Sequence, residues 1–536
     1  MRTGCTVGNE QTSSSHTVAL AKGAAKIGAG AAIGMAAHYF FSCLIAHQGR
    51  QSNGDFHLAL AVLGTLTTIS GLGFATGISR FVSMYGGRGE PERQRGVVRV
   101  ALLCVLLTSA LCGVVLVLGR NFLAQFFGGA ESLATLFLLT GVMLPLGNVA
   151  ALLRRALLAQ NRPGARVLIF DIAGNITLLA TGAMLVFIGL GALGGVAAQG
   201  VSLCVSCVIA WFTVRWGGVF PRCSPDTRGR LVELVKFSFP VLLSTVLVAT
   251  MTNIDVLMLG WLRGRAQVGL YKGAFLLLTP VNMATLLVNP LVVPTVTREY
   301  SAGRLEAARE CARTAGRWLL LLLVPLVVAI SLARKPLGLL LLGPEYSMSL
   351  SIVLALAAVK IWTFLNLPAR SLLVASGRMQ TMPIISAVSL TCNICLNFVL
   401  IPRAGVLGAA MATAVSVFVQ TVLMSLLAAQ VAGVPKPLRG FALDVLKVGS
   451  CGLISLSAGY LVSTLVRQGT MVDIVLALGA LALMGLLIRL LKVFRAEDCY
   501  VLEAGLRKIG ASRAVPWVRV LLSPQDVPRT SGKSPL

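Results

Sequence analysis

Residues 354–367 read LALAAVKIWTFLNL, a run of apolar side chains with a single charge, Lys360, near its centre. The apolar stretch extends over residues 349–369, which is close to the ~20 residues that a helix needs to cross a bilayer. A charge at mid-span costs on the order of 2.5–3.5 kcal/mol, so Lys360 should face a wet cleft or a partner. The stretch therefore predicts a transmembrane helix with a polar face.

The rest of the 536-residue chain has the same character. Hydrophobic residues make up 56% of it and charged residues 12%, with a mean hydropathy of +0.85, whereas soluble domains carry roughly 25% charged residues. We predict an all-α, polytopic membrane protein of about fourteen transmembrane helices, with no sizeable soluble domain. The predicted spans are 26–46, 57–79, 97–119, 132–153, 166–188, 194–214, 237–262, 268–296, 316–333, 349–369, 381–401, 405–431, 443–465 and 472–491.

The Lys and Arg residues that produce the net charge of +27 are distributed unevenly along the chain. Links after even-numbered spans hold 24 of them, including Arg154, Arg166 and Arg317, and links after odd-numbered spans hold 9, including Lys272. Positive residues concentrate on the cytoplasmic side, so we expect a cytoplasmic (inner) membrane protein with both termini in the cytoplasm. We therefore expect the positive charge to contact anionic membrane lipids and not to bind nucleic acid. The predicted cytoplasmic basic loops are marked by Arg80, Arg88, Arg298 and Arg304.

An internal repeat divides the chain. GGRGEPER (86–93) matches AGRLEAAR (302–309), LLAQNR (157–162) matches LLVASGR (372–378), and LGGVAAQGVS (193–202) matches LGAAMATAVS (407–416), at offsets of 216, 216 and 214 residues. Six spans separate the copies, so two parallel six-helix lobes should enclose a cleft with alternating access. The predicted parts are a cytoplasmic tail (1–25), an N-lobe (26–230), a C-lobe (231–435), two further helices (436–492) and a basic cytoplasmic tail (493–536).

Polar residues within the spans mark the candidate site. A stripe along the tenth span is predicted to bind substrate, and it consists of Lys360, Thr363, Asn366 and Arg370. Asp255 and Asp171 are candidate gate or ion-coupling residues, although Asp255 could instead pair with Lys360, and Asp171 with Arg166 or Arg162. The spans hold no His/Asp/Glu constellation and the outer links are short, so we predict no enzymatic activity, no metal and no cofactor.

Several motifs resemble the polysaccharide-export branch of the multidrug, oligosaccharidyl-lipid and polysaccharide exporter superfamily. They are LGPEY (342–346), LLVASGR (372–378), NICLNFVLIPR (393–403) and IDVLMLGWLRGRAQVGLYKGAFLL (254–277). The resemblance implies a flippase that moves lipid-linked oligosaccharide repeat units, such as O-antigen or exopolysaccharide units on undecaprenyl pyrophosphate, to the outer leaflet. It also implies a cationic cavity, which Lys360 and Arg370 fit, and other polysaccharide-assembly proteins as partners. The alternative is an ion-coupled exporter of cationic drugs from a sister branch, which Asp171 and Asp255 keep open.

Overall fold

The computed structural model describes residues 30–129, 131–160, 162–216, 227–285, 289–346, 349–431, 438–466 and 469–491. Helices dominate these residues, and none of them forms a β-strand. The predicted all-α class is therefore confirmed for this part of the chain. Both predicted tails, 1–25 and 493–536, lie outside the described residues.

Nineteen α-helices follow one another along the described chain. Those of the first half are α1 Gly30–Ala46, α2 Arg50–Ser70, α3 Phe74–Gly87, α4 Pro91–Leu118, α5 Arg120–Phe126, α6 Glu131–Ala159, α7 Pro163–Arg166, α8 Gly174–Phe187 and α9 Gly191–Trp216. Those of the second half are α10 Thr227–Arg263, α11 Arg265–Leu277, α12 Thr279–Thr285, α13 Asn289–Ser301, α14 Leu305–Leu332, α15 Arg334–Leu342, α16 Leu350–Ala375, α17 Met382–Val431, α18 Leu438–Leu465 and α19 Thr470–Leu490. A π-helical segment, Val167–Ala173, joins α7 to α8.

The helices account for the predicted membrane spans. Within the described residues, 10 helices are long and apolar enough to cross a membrane, and the bent pair α2–α3 raises the number to 11. The long helix α17 contains a break at Gly405, where φ is 56° and ψ is −126°, and so covers two predicted spans. The short apolar α1 corresponds to the first predicted span. The predicted eighth span, 268–296, is divided among α11, α12 and α13, with prolines in the first turns of α12 and α13, where a missing N–H is tolerated.

A sharp break separates α2 from α3. The two helices meet at 48°, and the turn between them holds Leu72 with φ of 51° and Gly73 with φ of 69°. Leu72 is the one residue other than glycine with positive φ among those described, and bulky side chains rarely adopt that conformation. The predicted second span is thus two helical segments that can contact different neighbours.

The first compact unit comprises the described residues of Met1–Leu287, Gly338–Trp362 and Arg378–Leu423. Its largest helix contacts join α4 to α6, α2 to α11, α8 to α9 and α6 to α9. One buried cluster joins α3, α4, α6 and α10, and consists of Phe74, Ile78, Phe81, Val82, Tyr85, Val97, Val98, Ala101, Leu102, Val105, Leu152, Ala156 and Leu234. Close side-chain fit holds such helices together in lipid, where no hydrophobic force acts between them.

The second compact unit comprises the described residues of Val288–Leu337, Thr363–Gly377 and Met424–Leu536. Here α14 packs against α13, α18 and α19. Arg313 on α14 forms an ion pair with Asp444 on α18, with 3.2 Å between Nε and Oδ2. Arg317, which the sequence assigns to a link, lies inside α14 with 1% of its surface exposed. The predicted lobe boundaries remain a prediction.

Candidate functional site

A cavity of about 520 Å³ lies within the first unit. Its wall is formed by the π-helical segment and by helices α1, α2, α6, α7, α8, α11 and α12. Its polar lining residues are His38, Tyr39, Ser42, His57, Arg154, Arg166, Asp171, Asn175, Lys272, Thr279 and Asn282. A cavity of this size, lined by helices that are otherwise apolar, is a candidate ligand site.

Positive charge predominates in the cavity wall. Arg154, Arg166 and Lys272 contribute cations, whereas Asp171 is the one carboxylate among the described lining residues. Arg166 and Asp171 form an ion pair with 3.4 Å between Nη2 and Oδ2, so the predicted pairing of Asp171 with Arg166 is confirmed. The Arg154 guanidinium lies over the Phe170 ring, 4.9 Å from its centroid. Such a wall attracts an anionic ligand.

Lys360 contacts an aromatic ring that also lines the cavity. Its Nζ lies 4.5 Å from the centroid of the Phe275 ring, and Lys272 Nζ lies 5.8 Å from the same centroid. A cation over an aromatic face is stabilised by about 0.5–2 kcal/mol. The expectation of a partner for Lys360 is therefore met by Phe275. Among the described residues Lys360 and Asp255 form no ion pair: Lys360 lies over the Phe275 ring, and Asp255 accepts hydrogen bonds from neutral side chains.

The other members of the predicted stripe share α16 with Lys360, but they belong to the second unit. Asn366 is buried, and its Oδ1 accepts no hydrogen bond in the described structure. Arg370 is exposed. A substrate-binding role for Thr363, Asn366 and Arg370 stays a prediction.

Asp255 is held in a buried polar group formed by α10, α11 and α17. Its carboxylate accepts hydrogen bonds from Tyr271 Oη at 3.1 Å and Thr413 Oγ1 at 2.7 Å. The Nδ2 atoms of Asn393 and Asn397 donate to its Oδ1 at 3.1 Å and 2.8 Å. Four neutral donors thus surround the carboxylate, and only 4% of Asp255 is exposed. Buried charges are tolerated when they are hydrogen-bonded in this way.

Helices α2 and α11 make a very close contact. Arg265 Nη1 donates to both carboxylate oxygens of Asp55 at 3.0 Å, and Asn53 Nδ2 donates to the Gly269 carbonyl at 3.0 Å. A Cβ on Gly54 would overlap the Arg265 carbonyl, and one on Gly269 would overlap the Arg50 carbonyl. Small residues permit this backbone approach between membrane helices. In the predicted orientation the contact lies at the outer end of the helix pair.

The predicted basic-loop residues are exposed; Arg80 lies in the middle of α3, whereas Arg88, Arg298 and Arg304 lie at or near helix ends. Arg80 lies over the Phe237 ring, 4.4 Å from its centroid. Arg298 and Arg304 both form ion pairs with Glu299, at 3.4 Å and 2.7 Å. The Arg304 hydrogen bond lowers the pKa of the Glu299 carboxyl. Their proposed contact with anionic lipid remains a prediction, as it does for the exposed Arg88.

Two family models match the chain. One, described as polysaccharide biosynthesis protein, matches residues 49–298, and the other, MatE, matches residues 240–399. The chain belongs to the multidrug, oligosaccharidyl-lipid and polysaccharide exporter superfamily. The resemblance of its motifs to this superfamily is thereby confirmed, and the protein is a multi-pass membrane transporter or flippase. A search of curated proteins returned no match.

Solved structures of this superfamily share the fold. The lipid II flippase MurJ in an inward closed conformation matches with a TM-score of 0.64 at 14% identity, covering 85% of this chain and 97% of that one. An inward-facing multidrug resistance MATE transporter matches with a TM-score of 0.61 at 14% identity, covering 75% of this chain and 95% of that one. A transporter from Pyrococcus furiosus, whose binding pocket is described as having reverse polarity, matches with a TM-score of 0.53 at 17% identity. The match covers 77% of this chain and 96% of that one.

Several cavity residues of this superfamily member were not among the sequence candidates. Arg154 and Arg166 were assigned to a cytoplasmic link and Lys272 to an outer link, but all three line the cavity. Lys272 lies four residues inside the predicted eighth span, which was a usable signal. For the two arginines the sequence carries no comparable signal, because positive residues near span ends usually face lipid head groups.

Proposed function

We propose that the protein is a flippase that translocates lipid-linked oligosaccharide repeat units on undecaprenyl pyrophosphate across the cytoplasmic membrane for cell-surface polysaccharide biosynthesis. The observation that carries the proposal is the cavity wall, whose described residues include Arg154, Arg166 and Lys272 against a single carboxylate, Asp171. Arginine and lysine bind phosphate oxygens through charge-assisted hydrogen bonds, so the wall suits a pyrophosphate group. The match to the polysaccharide biosynthesis model and the fold shared with a lipid II flippase support the proposal.

In this proposal different residues of the cavity bind the pyrophosphate and the sugar. The cavity cations bind the pyrophosphate, and Lys360, over the Phe275 ring, adds positive charge beside them. Hydroxyl, amide and imidazole groups of the wall, such as Tyr39, Asn175 and His57, are available to hydrogen-bond the adjoining sugar. Rocking of parallel repeats would then expose the head group to the other face.

Asp255 is proposed as the ion-coupling residue. Oxygen atoms that can contact a small cation meet around it: its own carboxylate, Thr413 Oγ1, and Asn397 Oδ1, which is buried without a hydrogen-bond partner. Hard monovalent cations prefer oxygen ligands. The residues therefore fit a sodium ion, whose binding would offset a buried negative charge.

The alternative function is an ion-coupled multidrug or cation exporter of the same superfamily. The buried Asp255 group and the fold shared with MATE transporters favour it. A cationic drug, however, would meet three cations and one carboxylate in the described wall of the cavity. Like charges repel strongly where the dielectric is low, so the flippase is the better supported function.

The test is deletion of the gene in its host, followed by measurement of lipid-linked repeat units in the inner leaflet. Accumulation that the wild-type gene reverses is expected, and Lys272→Gln should fail to reverse it at equal expression. Loss of one charge-assisted phosphate contact costs about 1.5–3 kcal/mol, or roughly 10- to 100-fold in affinity. Lys447→Gln is the matched control, because Lys447 is exposed, donates to the Leu491 carbonyl and is not one of the described lining residues of the cavity. Drug accumulation with no change in glycan lipids would favour the exporter instead.

A further inference from the structure

The carboxylate of the cavity is presented by an unusual backbone. Asp171 lies in the π-helical segment Val167–Ala173, and single π-turns inside α-helices occur frequently at functional sites. Asn175 Nδ2 donates to the carbonyls of Asp171 at 2.9 Å and Phe170 at 3.3 Å. A Cβ on Gly34 of α1 would overlap the Asp171 carbonyl, so α1 packs directly on the segment. The Asn175 side chain and the close approach of α1 thus both hold the Asp171 carbonyl, which fixes the backbone that carries the Asp171 side chain.

The same segment organises the arginines. Asp171 forms an ion pair with Arg166 at 3.4 Å, and Phe170 next to it lies under the Arg154 guanidinium at 4.9 Å. The side chains of Arg166 and Asp171 keep 23% and 12% of their surface exposed, and both line the cavity. A ligand in the cavity can therefore reach the guanidinium that Asp171 neutralises.

The geometry points to Asp171 as an exchangeable counter-ion for the anionic head group. The Asp171 carboxylate is paired with Arg166. A phosphate-bearing ligand takes over Arg166, because a phosphate group has more charge and more acceptor oxygens than a carboxylate. This inference rests on the proposed function for the identity of the ligand, but it assigns Asp171 a positioning role that differs from gating or ion coupling.

An exchangeable counter-ion solves a physical problem of transport. Three cations in a cavity of low dielectric would bind a pyrophosphate so tightly that release would be slow, and a transport site must also let its ligand leave. Because Asp171 competes with the ligand for Arg166, it lowers the affinity of the cavity for pyrophosphate. When the ligand leaves, Asp171 and Arg166 form a neutral ion pair again. An Arg166 left without any anion would be costly to bury.

The experiment measures binding of farnesyl pyrophosphate to the purified full-length protein in detergent, with farnesol as the uncharged probe. Asp171→Asn should bind farnesyl pyrophosphate about tenfold more tightly, or about 1.4 kcal/mol, with a slower dissociation rate, while farnesol binding stays unchanged. In the Arg166→Gln background the same substitution should produce no gain, because the counter-ion acts through Arg166. A role in stability alone would change the melting temperature without this dependence on Arg166.

The matched control is Asp444→Asn, which removes the carboxylate of the Arg313 ion pair in the second unit and should leave pyrophosphate affinity unchanged. Equal or weaker binding by Asp171→Asn, while the wild type binds pyrophosphate over farnesol, overturns the counter-ion role and leaves the proposed function standing. If Asp171→Asn is poorly folded, Asp171→Ser with the same expected gain replaces it. No preference for pyrophosphate in the wild type and both Asp171 variants overturns the counter-ion role and the proposed function together.

Discussion

Gly54 and Gly269 make reciprocal contacts: each faces a backbone carbonyl in the first turn of the other's helix, Gly54 that of Arg265 and Gly269 that of Arg50. Gly54 corresponds to Gly269 in the repeat, and Arg50 corresponds to Arg265. Each glycine therefore contacts the counterpart of the arginine in its own helix, which is the pattern of a two-fold relation. Gly54 and Gly269 are 215 positions apart, within the offsets of the repeated motifs. The helices α2 and α11 therefore pack as equivalent members of a duplicated sequence.

Adding one methyl group at this contact should separate the two helices. We expect Gly54→Ala and Gly269→Ala each to destabilise the folded protein by about 1–3 kcal/mol, as overpacking does elsewhere, and to lower the melting temperature in detergent. Gly479→Ala is the control, since nothing lies within 4 Å of a Cβ at that position. Equal melting temperatures for all three variants would contradict the close approach.

The Asp55–Arg265 ion pair should hold the N-terminal end of α2 against that of α11. Breaking a buried pair costs about 3–5 kcal/mol, so Asp55→Asn should increase labelling of Ser52→Cys by an impermeant maleimide about tenfold or more. Asp55→Arg combined with Arg265→Asp should bring labelling back toward the wild-type rate. If the charge-swapped protein is labelled as fast as the single variant, the pair has no such role.

Lys360 should reduce stability while supporting transport. Lys360→Met removes the charge at similar volume, and we expect a higher melting temperature because a half-buried cation no longer has to be desolvated. Reversal of lipid-linked repeat-unit accumulation should be lost in the same variant. Lys360→Arg keeps both the charge and the contact with Phe275 and should retain export. A drop in both stability and export with Lys360→Met would indicate a structural role.

Asp255 should make the protein sensitive to its coupling ion. If sodium binds, replacing choline chloride by sodium chloride should raise the wild-type melting temperature, in line with preferential binding to the folded state. Asp255→Asn should abolish that increase and lower the free energy of unfolding by about 1–3 kcal/mol. The reason is that the amide of asparagine has one acceptor oxygen where the carboxylate has two, so the donors around it, including Asn393 and Asn397, cannot all be satisfied. Asp473→Asn serves as a control at another buried carboxylate. Sodium stabilisation that persists in Asp255→Asn would remove the residue from the coupling site.

Much of the fold could be predicted because its determinants are local. Twenty apolar residues specify a membrane helix wherever they occur, so the hydropathy of α14 or α19 was sufficient to place a span. The expectation that Lys360 needs a partner was equally local, because it depends only on depth in an apolar run. The break between α2 and α3, by contrast, was missed: its glycine, Gly73, is a weak turn signal in a chain with 55 glycines, because glycine is frequent inside membrane helices.

The sequence by itself determined the membrane class, the repeat, and the presence of charges inside the spans, since each depends on composition or spacing along one chain. Only the tertiary structure decided what each charge contacts: Lys360 the Phe275 ring, Asp255 the α17 amides, and Asp171 Arg166 out of its two candidate partners. The physical reason is that helix periodicity determines which face a residue occupies but not which helix covers that face. That choice comes from close packing between segments far apart in the chain.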